Sequence, residues 1–80
     1  MAKCEKLLDK ALRSPASIRF SELCRLAQAH GFAEARTRGS HHIYTRPGYR
    51  RPLNFQNAMG MARAYPVRQL LDALEELGLI

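Results

Sequence analysis

The sequence has 80 residues, 46% hydrophobic and 25% charged, the balance of a folded chain rather than a disordered tail, and too few residues to fill two cores, so a single domain over 1–80 is expected. The net charge of +6 points to a polyanionic partner. No stretch approaches the ~20 apolar residues needed to span a bilayer, and the N-terminus lacks the apolar run of a signal peptide, so a cytoplasmic protein with no membrane partner is expected.

Cys4, Leu7, Leu8, Ala11 and Leu12 recur at helical spacing and predict a first helix of about ten residues, which Pro15 ends. After an extended Ser17–Phe20, Ser21 is placed to cap a second helix that carries Leu23, Leu26, Ala27 and His30 on one face and stops at Gly31. Cys4 and Cys24 both fall on these stripes, which reads as two buried thiols in a reducing compartment rather than a disulfide. From Phe32 to Gln56 the helical period gives way to Thr, Tyr, Ile and Phe punctuated by glycine and proline. Three antiparallel strands are predicted at about 32–38, 41–46 and 51–56, the first pair joined by a tight turn at Gly39-Ser40. Residues 57–64 show no period and are predicted as a loop. A last helix starts with Pro66 in its first turn, buries Val67, Leu70, Leu71, Leu74 and Leu77, and ends at Gly78. The expected class is α+β in the order α-α-β-β-β-α, with three helices sharing one face of a three-stranded antiparallel sheet.

The charge is concentrated between the helices. Residues 1–35 carry six Lys/Arg against four Asp/Glu, whereas Arg36, Arg38, Arg46, Arg50, Arg51, Arg63 and Arg68 occupy a stretch without a single carboxylate. All seven are arginine, whose planar fork matches phosphate oxygens. Tyr44, Tyr49, Tyr65 and Phe55 are interspersed with them, and single-stranded RNA is commonly held by stacking bases on such rings. Phe55 is assigned to the core; Tyr44 and Tyr49 are the candidates for exposed roles.

Within this segment, Arg38-Gly39-Ser40-His41-His42-Ile43-Tyr44 brings a glycine turn to two adjacent histidines at the start of a strand. Neighbouring strand residues point to opposite faces, so His41 and His42 cannot work side by side, and alternation alone does not choose between them. His30 is expected to pack against the core with its ring reaching a carbonyl near the helix end. A metal site would need three converging ligands, and none is expected. With no nucleotide-binding glycine loop, nucleophile elbow or carboxylate cluster, the chemistry left is what one histidine can perform. RNA cleavage fits, because the 2′-hydroxyl is an internal nucleophile and imidazole can exchange protons near neutral pH while arginines stabilise the charged transition state. A non-catalytic RNA-binding module using the same basic surface is the alternative. Binding of DNA through a helix is disfavoured, since neither candidate helix offers a cluster of long polar side chains.

The run from Arg38 to Tyr44, placed after His30-Gly31-Phe32 and followed by Arg46-Pro47-Gly48, resembles the HicA family of bacterial toxins. The resemblance covers about residues 18–80 and leaves residues 1–14 as an N-terminal helical extension. It implies a fold like the double-stranded RNA-binding domain, with helices on one side of a three-stranded antiparallel sheet. It further implies a metal-independent, cofactor-free endoribonuclease acting on mRNA, the toxin of a type II toxin–antitoxin system, neutralised by a HicB-type antitoxin protein. The family's catalytic histidine directly follows Gly-Ser, which is His41 here, with His42 as fallback. The RNA-binding residues expected beside it are Arg38, Gly39, Ser40, Tyr44, Arg46 and Arg51. Many members carry a Val-Pro-x-His type segment on the third strand, where this chain reads Leu53-Asn54-Phe55-Gln56-Asn57, so proton transfer rests on His41 with the arginines.

Overall fold

The computed structural model describes the backbone of residues 2–80 and the side chains from Glu5 onward. Helix α1 (Ala2–Arg13) is followed by a short 3-10 turn at Pro15–Ser17, then α2 (Phe20–Ala29), strands β1 (Ala33–Arg38), β2 (His41–Arg46), β3 (Tyr49–Ala58) and β4 (Met61–Ala62), and α3 (Ala64–Glu76). The strands form one antiparallel meander in the order β1-β2-β3-β4. The expected succession of two helices, a run of strands and a final helix therefore holds, but the sheet has four strands rather than three.

The additional strand arises where a loop was predicted. Strand β3 runs on to Ala58, and a two-residue turn at Met59-Gly60 returns the chain to pair Ala58 with Met61 and Asn57 with Ala62. Both turn residues have positive φ, 55° at Met59 and 88° at Gly60, the signature of a type I′ hairpin turn. Met-Gly is not a dipeptide that advertises this turn, and a two-residue strand has no readable alternation. Strand β4 is held on its other side by the chain entering α2: Ala62 N donates to Ile18 O and Phe20 N to Gly60 O. That contact is also why helix α2 begins at Phe20 rather than after Ser21. The Arg19 backbone N–H is satisfied by the Glu22 carboxylate at 2.9 Å, so Glu22, and not Ser21, organises the helix start.

The core lies between the helices and one sheet face. Leu7 and Ala11 of α1, Leu23, Leu26 and Ala27 of α2, and Val67, Leu70, Leu71, Ala73 and Leu74 of α3 close over Tyr44, Leu53 and Phe55 of the sheet. Burying these apolar side chains is the main stabilising contribution, each worth roughly 1.5–3 kcal/mol before chain entropy is set against it. Leu12, expected on the buried stripe of α1, is exposed. Cys24 is half-buried and unpaired, and burial pushes its thiol above the ordinary range. The Cys4 side chain lies outside the described residues. No described helix is long and apolar enough to cross a membrane.

Candidate active site

The two hairpin turns aim the basic segment. At Gly39-Ser40, which joins Arg38 to its partner His41, glycine adopts φ +61° in the first central position, the requirement of a type II′ turn. The second turn, Pro47-Gly48, joins Arg46 to Tyr49. Side chains then alternate along β2, and the parity is fixed by the core: Tyr44 is 2% exposed and stacks on Phe55 with centroids 4.9 Å apart, so the even-numbered residues 42 and 44 face the helices.

His41 and His42 therefore part company. His42 is half-buried on the helix side, its ring 4.7 Å from that of Phe20 and its Nδ1 3.0 Å from Glu34 Oε2, with Thr37 bonded to the same carboxylate. His41 is exposed on the opposite, open face. There it lines a groove of about 470 Å³ with Arg36, Arg38, Ile43, Pro52 and Asn54, room for a nucleotide rather than a single ion. The Asn54 side-chain Oδ1 lies 3.2 Å from His41 Nδ1. In the tautomer whose Nδ1–H donates to that amide oxygen, Nε2 is the ring's proton acceptor. The arrangement offers a fixed, solvent-facing proton acceptor beside two guanidinium groups, in a groove lined by no carboxylate. Glu34, the nearest acid in sequence, has the parity of Arg36 and Arg38 but is turned to the other face by an irregularity in β1–β2 pairing between Glu34 and Arg36, which sets it opposite the core residue Tyr44.

The remaining expected contacts fare differently. Arg38 lines the groove, and Gly39 and Ser40 are exposed in the turn that follows it. Tyr44 is corrected: its ring belongs to the core, burial raises its hydroxyl above the ordinary tyrosine range, and it has no face free for a base. Tyr49 is also occupied, packed edge-on against Phe32 and donating its hydroxyl to Glu76 at 3.1 Å. Arg46 is half-buried, its Nε donating to the His30 carbonyl at 2.8 Å and a terminal nitrogen to the Pro47 carbonyl at 3.1 Å. It fastens β2 to the end of α2, passing so close to Gly31 that a Cβ there would sit 2.8 Å from Nε. Arg51 pairs with Glu76 at 2.7 Å, so one of the arginines that lacked a sequence-local acid finds one through the fold. His30 behaves as expected, Nδ1 reaching the Leu26 carbonyl at 2.9 Å.

The family model described as HicA toxin of bacterial toxin-antitoxin matches residues 20–58. The segment 20–58 is thus similar to the HicA toxin family. No curated protein and no solved structure matches the chain. The HicA segment begins with α2 and ends with β3, so it holds His41 and His42, the groove and Asn54, while α1 and α3 lie outside it. The matched family is one of toxins from bacterial toxin–antitoxin systems.

Sequence reasoning missed Arg36, Asn54 and Gln56 on the open face. Part of the signal was available: with Phe55 in the core, alternation sends 54 and 56 outward, whereas the pairing of Phe55 with His42 that sends 41 outward with them is set by the fold. Arg63, Tyr65 and Gln69, which α3 brings to the side of His41, carry no such local signal, because only the docking of α3 against β3 puts them there.

Proposed function

We propose that this chain is a HicA-type toxin, an endoribonuclease that cleaves mRNA in the cytoplasm with His41 as its proton-transferring group, acting as one domain with residues 1–14 as an N-terminal extension. The observation that carries the reading is the exposed His41 imidazole, oriented by Asn54 and flanked by Arg36 and Arg38 in a carboxylate-free groove. In this reading His41 Nε2 accepts the 2′-hydroxyl proton as that oxygen attacks the adjoining phosphorus. The bond from phosphorus to the 5′-oxygen breaks, a 2′,3′-cyclic phosphate forms, and solvent protonates the departing oxygen. Arg36 and Arg38 stabilise the extra charge on the phosphoryl oxygens. Gly39 and Ser40 let the backbone come close to the strand. Arg51, in an exposed pair with Glu76, can exchange that partner for a phosphate at small cost. No metal or organic cofactor is needed for these steps.

Helices on a single sheet face, leaving the other open, support the double-stranded RNA-binding-domain-like reading of the fold. A HicB-type antitoxin that covers the open face would silence the enzyme by excluding RNA from the groove. One observation favours the second reading, a non-catalytic RNA-binding module: β3 carries no histidine, so the groove has one imidazole and no second proton donor of that type. Incubating the purified chain with mRNA in the presence of EDTA separates the two. The nuclease reading predicts fragments ending in 2′,3′-cyclic phosphate; intact, retained RNA would establish the module instead.

A further inference from the structure

Three tyrosines are interspersed with the arginines, and the fold leaves one of them free. Tyr44 lies in the core and Tyr49 is engaged by Phe32 and Glu76, but Tyr65, in the first turn of α3, is 67% exposed. Its neighbours are telling. Tyr65 and His41 line the same hollow, together with Gln56, Arg63 and Gln69. Gln69, one helical turn on, donates from Nε2 to the Tyr65 hydroxyl at 3.3 Å, which holds the phenol by its tip and leaves the ring uncovered.

We infer that Tyr65 is the stacking platform of a nucleobase subsite beside His41, taking the base of a nucleotide next to the cleaved linkage in single-stranded RNA. This inference rests on the nuclease reading above. An exposed ring offers any unpaired base a π-face, whereas a base inside a duplex has both faces covered by its neighbours. Gln56 and Gln69 bring amides that can both donate to and accept from a base edge, and Arg63 supplies a cation for its phosphate. The charge pattern limits the subsite to this end of α3. Past Tyr65 the next hollow is mixed in charge, Asp72 and Glu76 standing against the single cation Arg51, while the approach from Arg36 and Arg38 is cationic throughout. The strand is thus led across the open sheet face, past His41, and onto Tyr65.

The test uses the full chain carrying His41→Ala, so that RNA is bound without being cut, and a labelled single-stranded RNA of mixed sequence followed by anisotropy. Adding Tyr65→Ala should weaken binding about ten- to hundredfold, whereas Tyr65→Phe and Tyr65→Trp should stay within about threefold of the parent. The chain has no tryptophan, so the indole introduced by Tyr65→Trp reports alone, and its emission should be quenched as RNA saturates the protein. An abasic strand of the same length should bind the parent and the Tyr65→Ala protein equally. Unchanged affinity in Tyr65→Ala, an unmoved indole signal at saturation, or failure of the parent to bind single strands would each overturn the subsite. Cleavage by the chain with His41 intact is scored separately. Fragments without any effect of residue 65 would sink the subsite alone, and base-dependent binding without fragments would sink the nuclease reading while the stacking role of Tyr65 stands.

Discussion

Asn54 Oδ1 lies 3.2 Å from His41 Nδ1, across the β2–β3 pair on the open face of the sheet. An amide oxygen at this position favours the tautomer protonated at Nδ1 and restrains the ring's rotation, leaving Nε2 as the proton acceptor. Removing the acceptor leaves the imidazole present and misdirected. Asn54→Ala is expected to lower kcat for RNA cleavage about tenfold or more with a smaller change in KM. Asn54→Asp restores an acceptor oxygen at the same reach and should recover much of the kcat lost in Asn54→Ala. Steady-state kinetics on the two variants check both statements.

Glu22 ties the start of α2 to its neighbours. The Arg19 backbone N–H, followed by the Lys10 ammonium, holds its carboxyl below the usual carboxylate range. A carboxyl whose folded value lies below its unfolded one stabilises the fold above the unfolded pKa, and that stabilisation is lost as pH falls through the folded value. Chemical denaturation should therefore show stability declining on acidification below about pH 4.5, near the ordinary carboxylate value. Glu22→Gln keeps an acceptor oxygen but drops the charge; it should cost about 1 kcal/mol at pH 7 and flatten that acidic decline.

Met59 occupies a left-handed backbone conformation, φ +55°, with its side chain fully exposed, so nothing is gained from packing that would offset the conformational cost. Asparagine visits this region readily and is favoured before glycine in a type I′ turn. Met59→Asn should stabilise the chain by about 0.5–1 kcal/mol, seen as a rise of a few degrees in Tm. A Tm equal to or below that of the parent would mean that the β3–β4 hairpin is not built on this turn.

Much of the architecture was readable because its signals are local. Helix stripes, the glycine stop at Gly31 and the Gly39-Ser40 turn all depend on residues close in sequence, and they lie where their patterns put them apart from Leu12, which is exposed. What depended on tertiary contact was not readable. Strand β4 exists because Ile18 and Phe20 supply hydrogen bonds to Ala62 and Gly60, far away along the chain, and α2 starts at Phe20 for the same reason.

The site divides along the same line. An imidazole beside a glycine turn and a run of unneutralised arginines were evident from the sequence. That Tyr44 is core and Tyr65 exposed was not, because both sit among arginines and only the parity of β2 and the docking of α3 distinguish them. The pairing of Arg51 with Glu76 likewise joins residues 25 positions apart, beyond the reach of local charge counting.

The central claim concerns which of two adjacent imidazoles does the chemistry, and a paired substitution tests it most directly. His41→Ala and His42→Ala would be expressed under induction, purified, checked for folding, and compared for cleavage of one mRNA at equal folded concentration. His42 contacts Phe20 and Glu34 on the helix side, so its loss should lower stability by about 1 kcal/mol while the folded fraction still cuts RNA and arrests growth. Loss of His41, on the open face, should leave a folded protein with neither cleavage nor growth arrest. Undiminished cleavage by the His41→Ala protein would contradict the account, whatever the behaviour of its neighbour.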